Sequence, residues 1–455
     1  MSKKRRQASR NARRAAQAAK SEASAPLDAG SAVAAVALFA VFVACGLAVD
    51  TGADDAFDAP KRLLALVGIA VATSAVFAFS AWENPLDRRH PRAARLVLLL
   101  ILAAVGWTFL SAAASPRRAA ALDSLRVVLL LSLVLPLGAS RLLPRRGPLL
   151  LAGFLAIASV DAVVSLLQVA DVWQPFPLET RGRREATGAF VGNVGYLALF
   201  LALAAVAAAA VVLLSRRTLA RVAAGAAFLV FVAALLVNQN LTSLSAAGVG
   251  LLALLFLRFG RRAVLPVAAA AALLGIAIAV YEPMRGRARE VVTAARAGDW
   301  DRVLTYRLGA WAAAREMTRD RPLLGFGPGS FGSEFVAHRL RAEIGARRRY
   351  VNPLATSSYA EAHSDYFQPF AEEGIPAALL AIGAAAVLLA GVFRTARARP
   401  PGESSEAILL AALLAAGAAA AVTWFPLQRP ITSVPLLLAA GRAWRIGLAG
   451  RDAAA

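Results

Sequence analysis

The chain alternates long apolar blocks with short polar connections, and one connection is far longer than the rest. Apolar blocks lie near 31–49, 63–81, 95–113, 121–139, 148–170, 189–214, 219–237, 242–257, 263–281, 374–393, 406–424 and 430–448. About 20 apolar residues, at 1.5 Å rise each, cross the hydrocarbon of a bilayer. The pattern therefore predicts an all-α fold, a polytopic integral membrane helix bundle of about 12 transmembrane helices. The fourth and eighth blocks are short or abut charges, so ten or eleven spans also fit. Four parts follow: a basic tail over 1–30, a membrane domain with spans 1–9 over 31–281, a large extracytoplasmic helical loop over 282–373, and spans 10–12 with the C-terminus over 374–455.

Charge orients these blocks. The first 20 residues carry eight Lys or Arg. If that tail is cytoplasmic, so are the connections bearing Arg88, Arg89 and Arg92; Arg141, Arg145 and Arg146; Arg216, Arg217 and Arg221; Arg258, Arg261 and Arg262; Arg394, Arg397 and Arg399; and the terminal Arg442, Arg445 and Arg451. The opposite side receives Asp50, Asp54, Asp55 and Asp58 and the polar turn Asn238-Gln239-Asn240. Positive residues stay inside, so both termini are expected in the cytoplasm. The basic tail then acts in orientation, with attraction to membrane lipid as a second task. Arg117 with Arg118, and Arg181 with Arg183 and Arg184, sit on the outer side against this bias. No cleavable leader is expected, because the first apolar block is long enough to remain as a helix. The net charge of +22 does not indicate nucleic acid, since the arginines lie between apolar blocks and not on one soluble face. The single cysteine, Cys45, lies inside the first block and excludes an internal disulfide or a cysteine metal site.

The long connection, 282–373, holds twelve acidic residues, fourteen arginines and two of the three histidines. Leu304, Leu308, Trp311 and Arg315 share a helical stripe, which predicts an amphipathic helix over Asp299–Asp320 with Trp311 at headgroup level. Pro322 ends it, and Gly325-x-Gly327-Pro328-Gly329 forms a turn that either returns the chain to the membrane or lines a site. It is no dinucleotide fingerprint, because no strand precedes it. In Glu361-Ala362-His363-Ser364-Asp365-Tyr366-Phe367-Gln368, helical spacing puts His363, Phe367 and Phe370 on one face. Asp365 or Glu361 could orient the imidazole of His363. His90 and His338 lack such a setting and are expected to be solvated. Arg181, Arg183 and Arg184, with Arg307 and His363, could form an anion site at the outer leaflet, since arginine binds phosphate through a planar fork. Lipid headgroup contact is the plainer alternative for each arginine. Asp161, inside the fifth span, fits either a functional acid or a structural pair with a neighbouring helix.

Three runs resemble bacterial O-antigen ligases and the related polysaccharide polymerases. One is Arg307-x-x-x-Trp311 with Arg321-Pro322-Leu323-Leu324-Gly325-Phe326-Gly327-Pro328-Gly329-Ser330-Phe331. Another is His363-Ser364, nine residues, then Gly374. The third is Thr187-Gly188-Ala189-Phe190-x-x-Asn193. The likeness spans roughly 180–395. Ala377 stands where the family has a second Gly, Pro369 interrupts what is usually unbroken helix, and Thr242-Ser243-Leu244-Ser245 lacks the family's Arg. One extra residue separates Arg184 from Thr187, so the choice among Arg181, Arg183 and Arg184 stays open. The resemblance implies a glycosyltransferase of the inner (cytoplasmic) membrane, metal-independent, inverting and without a cofactor. It would move a glycan from polyprenyl (undecaprenyl) diphosphate to a hydroxyl of lipid A core or of a growing glycan. Catalytic roles would fall to His363, Arg307 and Arg184, and substrate contacts to Arg181, Arg183, Arg321, Asp365 and Trp311. A twelve-span transporter dependent on Asp161, or a non-catalytic glycan-binding membrane protein, are the competing readings.

Overall fold

The computed structural model describes residues 29–53, 55–78, 92–140, 142–176, 187–347, 349–350, 359–398 and 404–448. The helices of the first part are α1 (Ala29–Leu47), α2 (Asp58–Ala78), α3 (Arg92–Ala114), α4 (Arg118–Ser132), α5 (Val134–Ala139), α6 (Leu142–Val169), α7 (Val194–Leu214), α8 (Thr218–Asn238) and α9 (Leu241–Phe259). A 3-10 turn at Gly260–Ala263 leads into α10 (Val264–Val280). The long connection contains α11 (Glu282–Arg296), α12 (Trp300–Val303), α13 (Leu308–Asp320), α14 (Phe331–Ala346) and α15 (Phe367–Glu372). The chain then continues as α16 (Gly374–Ala398), α17 (Ser405–Thr423) and α18 (Pro430–Leu448). Among the described residues there is no strand.

Ten helical stretches among the described residues are long and apolar enough to cross a membrane, against the twelve blocks expected. The eighth and ninth blocks fall within one of the ten, Leu241–Val280, as α9, the 3-10 turn and α10. α18, which carries Arg442 and Arg445, lies outside the ten yet packs against α5, α16 and α17. At the centre stands α7, buried from Val194 to Ala210 except for Tyr196 and surrounded by α6, α8, α9, α17 and α18. A helix apolar on every side belongs in a core.

A polar stripe on α6 fixes one loop of the future site. Asp161, Ser165 and Gln168 recur at spacings of four and three, which puts them on one helical face. Asp161 accepts the Phe190 N–H at 3.2 Å, Ser165 donates to the Thr187 carbonyl at 2.9 Å, and Gln168 accepts the Ala189 N–H at 2.9 Å. From α2, Lys61 Nζ donates to the Phe190 carbonyl at 2.5 Å. Both ends of one residue are thus held by buried side chains of two helices. Gly192 closes this loop at φ +83°, and a Cβ there would collide with the Phe57 ring. Asn193 then caps α7, accepting the N–H groups of Gly195 and Tyr196. Asp161 is thereby engaged structurally. Asp161→Leu and Lys61→Met are each expected to leave a Phe190 backbone group unpaired and to destabilise the protein by about 1–3 kcal/mol. Thermal unfolding in detergent measures this, and unchanged midpoints in both variants would contradict the clamp.

The long connection is tied down by α3. Trp107, Ser111 and Ser115 donate to the carbonyls of Leu323, Leu324 and Phe326 at 2.8, 2.6 and 2.7 Å. The Gly325–Gly329 run is therefore a docking turn on the membrane domain. It also meets the α15–α16 junction, where Gly327 donates to the Glu372 carbonyl at 2.7 Å and Ile375 to that of Pro322 at 2.8 Å. Gly374 lies at φ +87°, and a Cβ on it would strike the Leu323 carbonyl. The chain breaks there between α15 and α16. His338 is not solvated as expected. It is 2% exposed, packs on Phe326, and bonds to the Glu334 carbonyl at 2.7 Å and to Asp320 at 3.2 Å. Of the other expectations, residues 1–28 of the basic tail over 1–30, and His90, lie outside the described residues.

Candidate active site

The Asp299–Asp320 segment is two helices and not one. α12 stops at Val303, and Thr305 and Tyr306 take φ +56° and +62°, so the chain reverses before α13. Two consecutive non-glycine residues in the left-handed region cost on the order of 1 kcal/mol or more each, and such strain collects at functional sites. This turn places Arg307 inward, 8% exposed. Its Nη1 donates to the Leu304 carbonyl at 3.4 Å and to Thr242 Oγ1, at the start of α9, at 3.5 Å. Its guanidinium lies 5.2 Å over the Trp424 ring. Among the described residues no carboxylate pairs with it. Burial, with the Arg287 charge adding to it, lowers Arg307 to about 10, while Tyr359 opposes the shift.

His363 does not sit on a helix as expected. It takes φ +52°, and α15 begins only at Phe367. The cause lies in Ser364, fully buried, whose Oγ donates to the Ala421 carbonyl at 3.1 Å and accepts the N–H groups of Tyr366 and Phe367. That bonding fixes the segment to the end of α17 and starts the helix one turn late. The imidazole packs among Tyr359 at 5.0 Å, Phe425 at 5.1 Å and Trp424 at 5.2 Å. Its Nδ1 is buried without a hydrogen-bond partner. Burial, then the charges of Arg307 and Arg429, push its pKa down to about 3. A ring so placed is neutral at physiological pH.

Neither carboxylate proposed to orient the imidazole does so. Asp365 accepts the Leu427 N–H at 2.8 Å, and its own N–H donates to the Ala421 carbonyl at 3.0 Å. It thus holds the 424–429 loop against His363. Glu361 accepts from Arg429 Nη2 at 2.6 Å. Arg429 also pairs with Asp58 at the start of α2, and its guanidinium covers the Tyr196 ring at 4.6 Å. One arginine thereby ties the His363 segment, the 424–429 loop and α2 together.

Trp424 is the shared wall, with Arg307 and His363 both against it. The other expected site residues fall elsewhere. Arg181, Arg183 and Arg184 lie outside the described residues. Arg321 is exposed and stacks on Phe326 at 5.0 Å. Trp311 packs at 5.1 Å from Phe367, with a buried Nε1 that has no partner. Thr242, Trp424, Phe425 and Arg429 were not foreseen. Arg429 was findable, since it is a basic residue on the outer side by the same orientation rule that singled out Arg181, Arg183 and Arg184. Among the described residues, no three His, Cys, Asp or Glu side chains are grouped to hold a metal ion.

Three buried carboxyls around the site make its stability depend on pH. Burial raises Asp365, Glu372 and Glu373 each to about 7. A carboxyl raised in the folded state binds its proton more tightly there than in the unfolded chain. Its stabilising share is complete at pH 4 and is lost as pH rises through 7. The unfolding midpoint is expected to fall between pH 6 and pH 8, and Glu372→Gln should flatten that decline. A midpoint that rises over this range would contradict the assignment.

Residues 226–382, about a third of the chain, match the family model described as O-Antigen ligase. The matched stretch contains Thr242, Arg307 and His363 and ends before Trp424 and Arg429. A comparison with curated proteins gives no match. With its bundle of apolar helices the chain is an all-α, multi-pass membrane protein, and its residues 226–382 are similar to the O-antigen ligase domain.

Proposed function

We propose that the chain transfers a glycan from a polyprenyl diphosphate to an acceptor hydroxyl at the outer face of the bacterial inner membrane. The observation that carries this is Arg307, a buried guanidinium without a carboxylate partner among the described residues, sharing Trp424 with a neutral imidazole. A buried cation of that kind calls for an anion. The diphosphate supplies one, and its charge grows as the glycosidic bond breaks.

In this reading the acceptor oxygen attacks the anomeric carbon from the face opposite the diphosphate, which inverts that centre. The bond from that carbon to the phosphate oxygen breaks, the electron pair leaves with the lipid diphosphate, and the acceptor proton passes to His363. Arg307 stabilises the leaving charge as a fixed donor in a water-poor site. An anion bound beside Arg307 offsets the charges that depress His363, so the imidazole becomes a better base when substrate is present. Arg184, Arg181 or Arg183 would add a second cation, with no metal required. The arginine-rich connections support cytoplasmic termini. Lipid A core or a growing glycan is the acceptor, and the two differ in product.

Cells lacking the protein, complemented with wild type, His363→Ala or Arg307→Ala at equal membrane levels, test this on a surface-polysaccharide gel. The wild type should restore a polysaccharide pattern and the variants should not. Loss of attachment to core indicates a ligase, and loss of ladder length a polymerase. Full complementation by both variants would overturn the reading.

A further inference from the structure

α11 lies against the outer end of α10, and a groove of about 410 Å³ opens between them. Its two walls differ in chemistry. Gly275, Ile278 and Ala279 of α10 form an apolar wall, while Arg285, Arg289 and Arg296 of α11 form a basic one. The spacing explains the second wall, because residues 285, 289, 292 and 296 recur at helical intervals and share one face. α10 has no buried side chain, so its surface is left to lipid, and α11 begins two residues after it ends. The groove therefore sits at the membrane boundary. Arg285 pairs with Glu282. Arg289 and Arg296 pair with no carboxylate among the described residues. Met284 and Ala294 are buried and anchor α11, so the basic wall is held in place.

We propose that this groove is a lipid site, taking the phosphate headgroup of an anionic membrane lipid between Arg289 and Arg296 with the acyl chain along α10. Charge complementarity selects the headgroup, since guanidinium groups bind phosphate oxygens through paired hydrogen bonds. The apolar wall selects an amphiphile over free phosphate. The site is independent of the glycosyl-transfer reading and shares no residue with it.

The test is native mass spectrometry of the full-length protein from detergent, titrated with phosphatidylglycerol or with phosphatidylcholine of the same acyl chains. The wild type should retain phosphatidylglycerol preferentially. Arg289→Ser with Arg296→Ser should weaken that retention about tenfold or more and leave phosphatidylcholine unchanged. Arg315→Ser with Arg319→Ser, which removes the same charge from the exposed face of α13, should have no such effect. The proposal fails if the first pair retains the lipid like wild type, if the second pair lowers retention equally, or if inorganic phosphate alone occupies the groove with no lipid preference.

Discussion

Replacing His363 with alanine is expected to lower glycan transfer by roughly 10²- to 10⁴-fold, the usual contribution of a positioned general base. The protein should remain folded, because Ser364 and Asp365, not the imidazole, hold this segment. The aromatic cage and the two nearby arginines give the prediction a pH signature. An ordinary histidine would protonate near 6.5 and lose base function below that. With its pKa at about 3, His363 stays neutral through the whole physiological range. The kcat/KM profile, which reports the free enzyme, should therefore show no limb from His363 between pH 5 and 7. A steep decline below 6.5 that disappears in His363→Gln would contradict this electrostatic account.

Arg307→Ala is expected to cost roughly 10²- to 10³-fold in kcat, as loss of one buried donor to a developing oxyanion does. Arg307→Lys keeps the charge but not the planar fork over Trp424, so it should recover only part of the activity. Arg307→Ala should keep the unfolding midpoint near that of wild type or raise it, because Arg307 is a buried charge that no carboxylate offsets among the described residues. Activity and stability are thus expected to separate at this position. A large loss of stability with unchanged kcat in the surviving protein would assign Arg307 a structural role.

The apolar blocks, the orientation rule and the polar connection made the membrane class and the region of interest legible. Hydrophobic length is a local signal, and each block carries it independently. His363 and Arg307 were also legible as residues, but their settings were not. The backbone reversal at Thr305–Tyr306 and the late start of α15 depend on contacts with Ala421, Thr242 and Trp424, which are distant in sequence. Helical spacing alone therefore extended both helices too far. The carboxylates beside His363 looked like its partners because they are neighbours along the chain, yet the fold spends them on Leu427 and Arg429. Arg429 stands singly before α18, whereas the charge bias along the chain is carried by clusters. The Phe190 clamp was half legible. The stripe Asp161, Ser165 and Gln168 has plain helical spacing, but nothing local pairs it with Lys61 of another helix.

The central claim is that Arg307 and His363 together move a glycan off a lipid diphosphate. Purified full-length protein, incubated with a polyprenyl-diphosphate-linked glycan and a glycan-bearing acceptor, tests it most directly by chromatography of the released lipid. The account expects polyprenyl diphosphate to appear in step with glycosylated acceptor, and both to vanish in His363→Ala and Arg307→Ala. Equal release by either variant and wild type would contradict it.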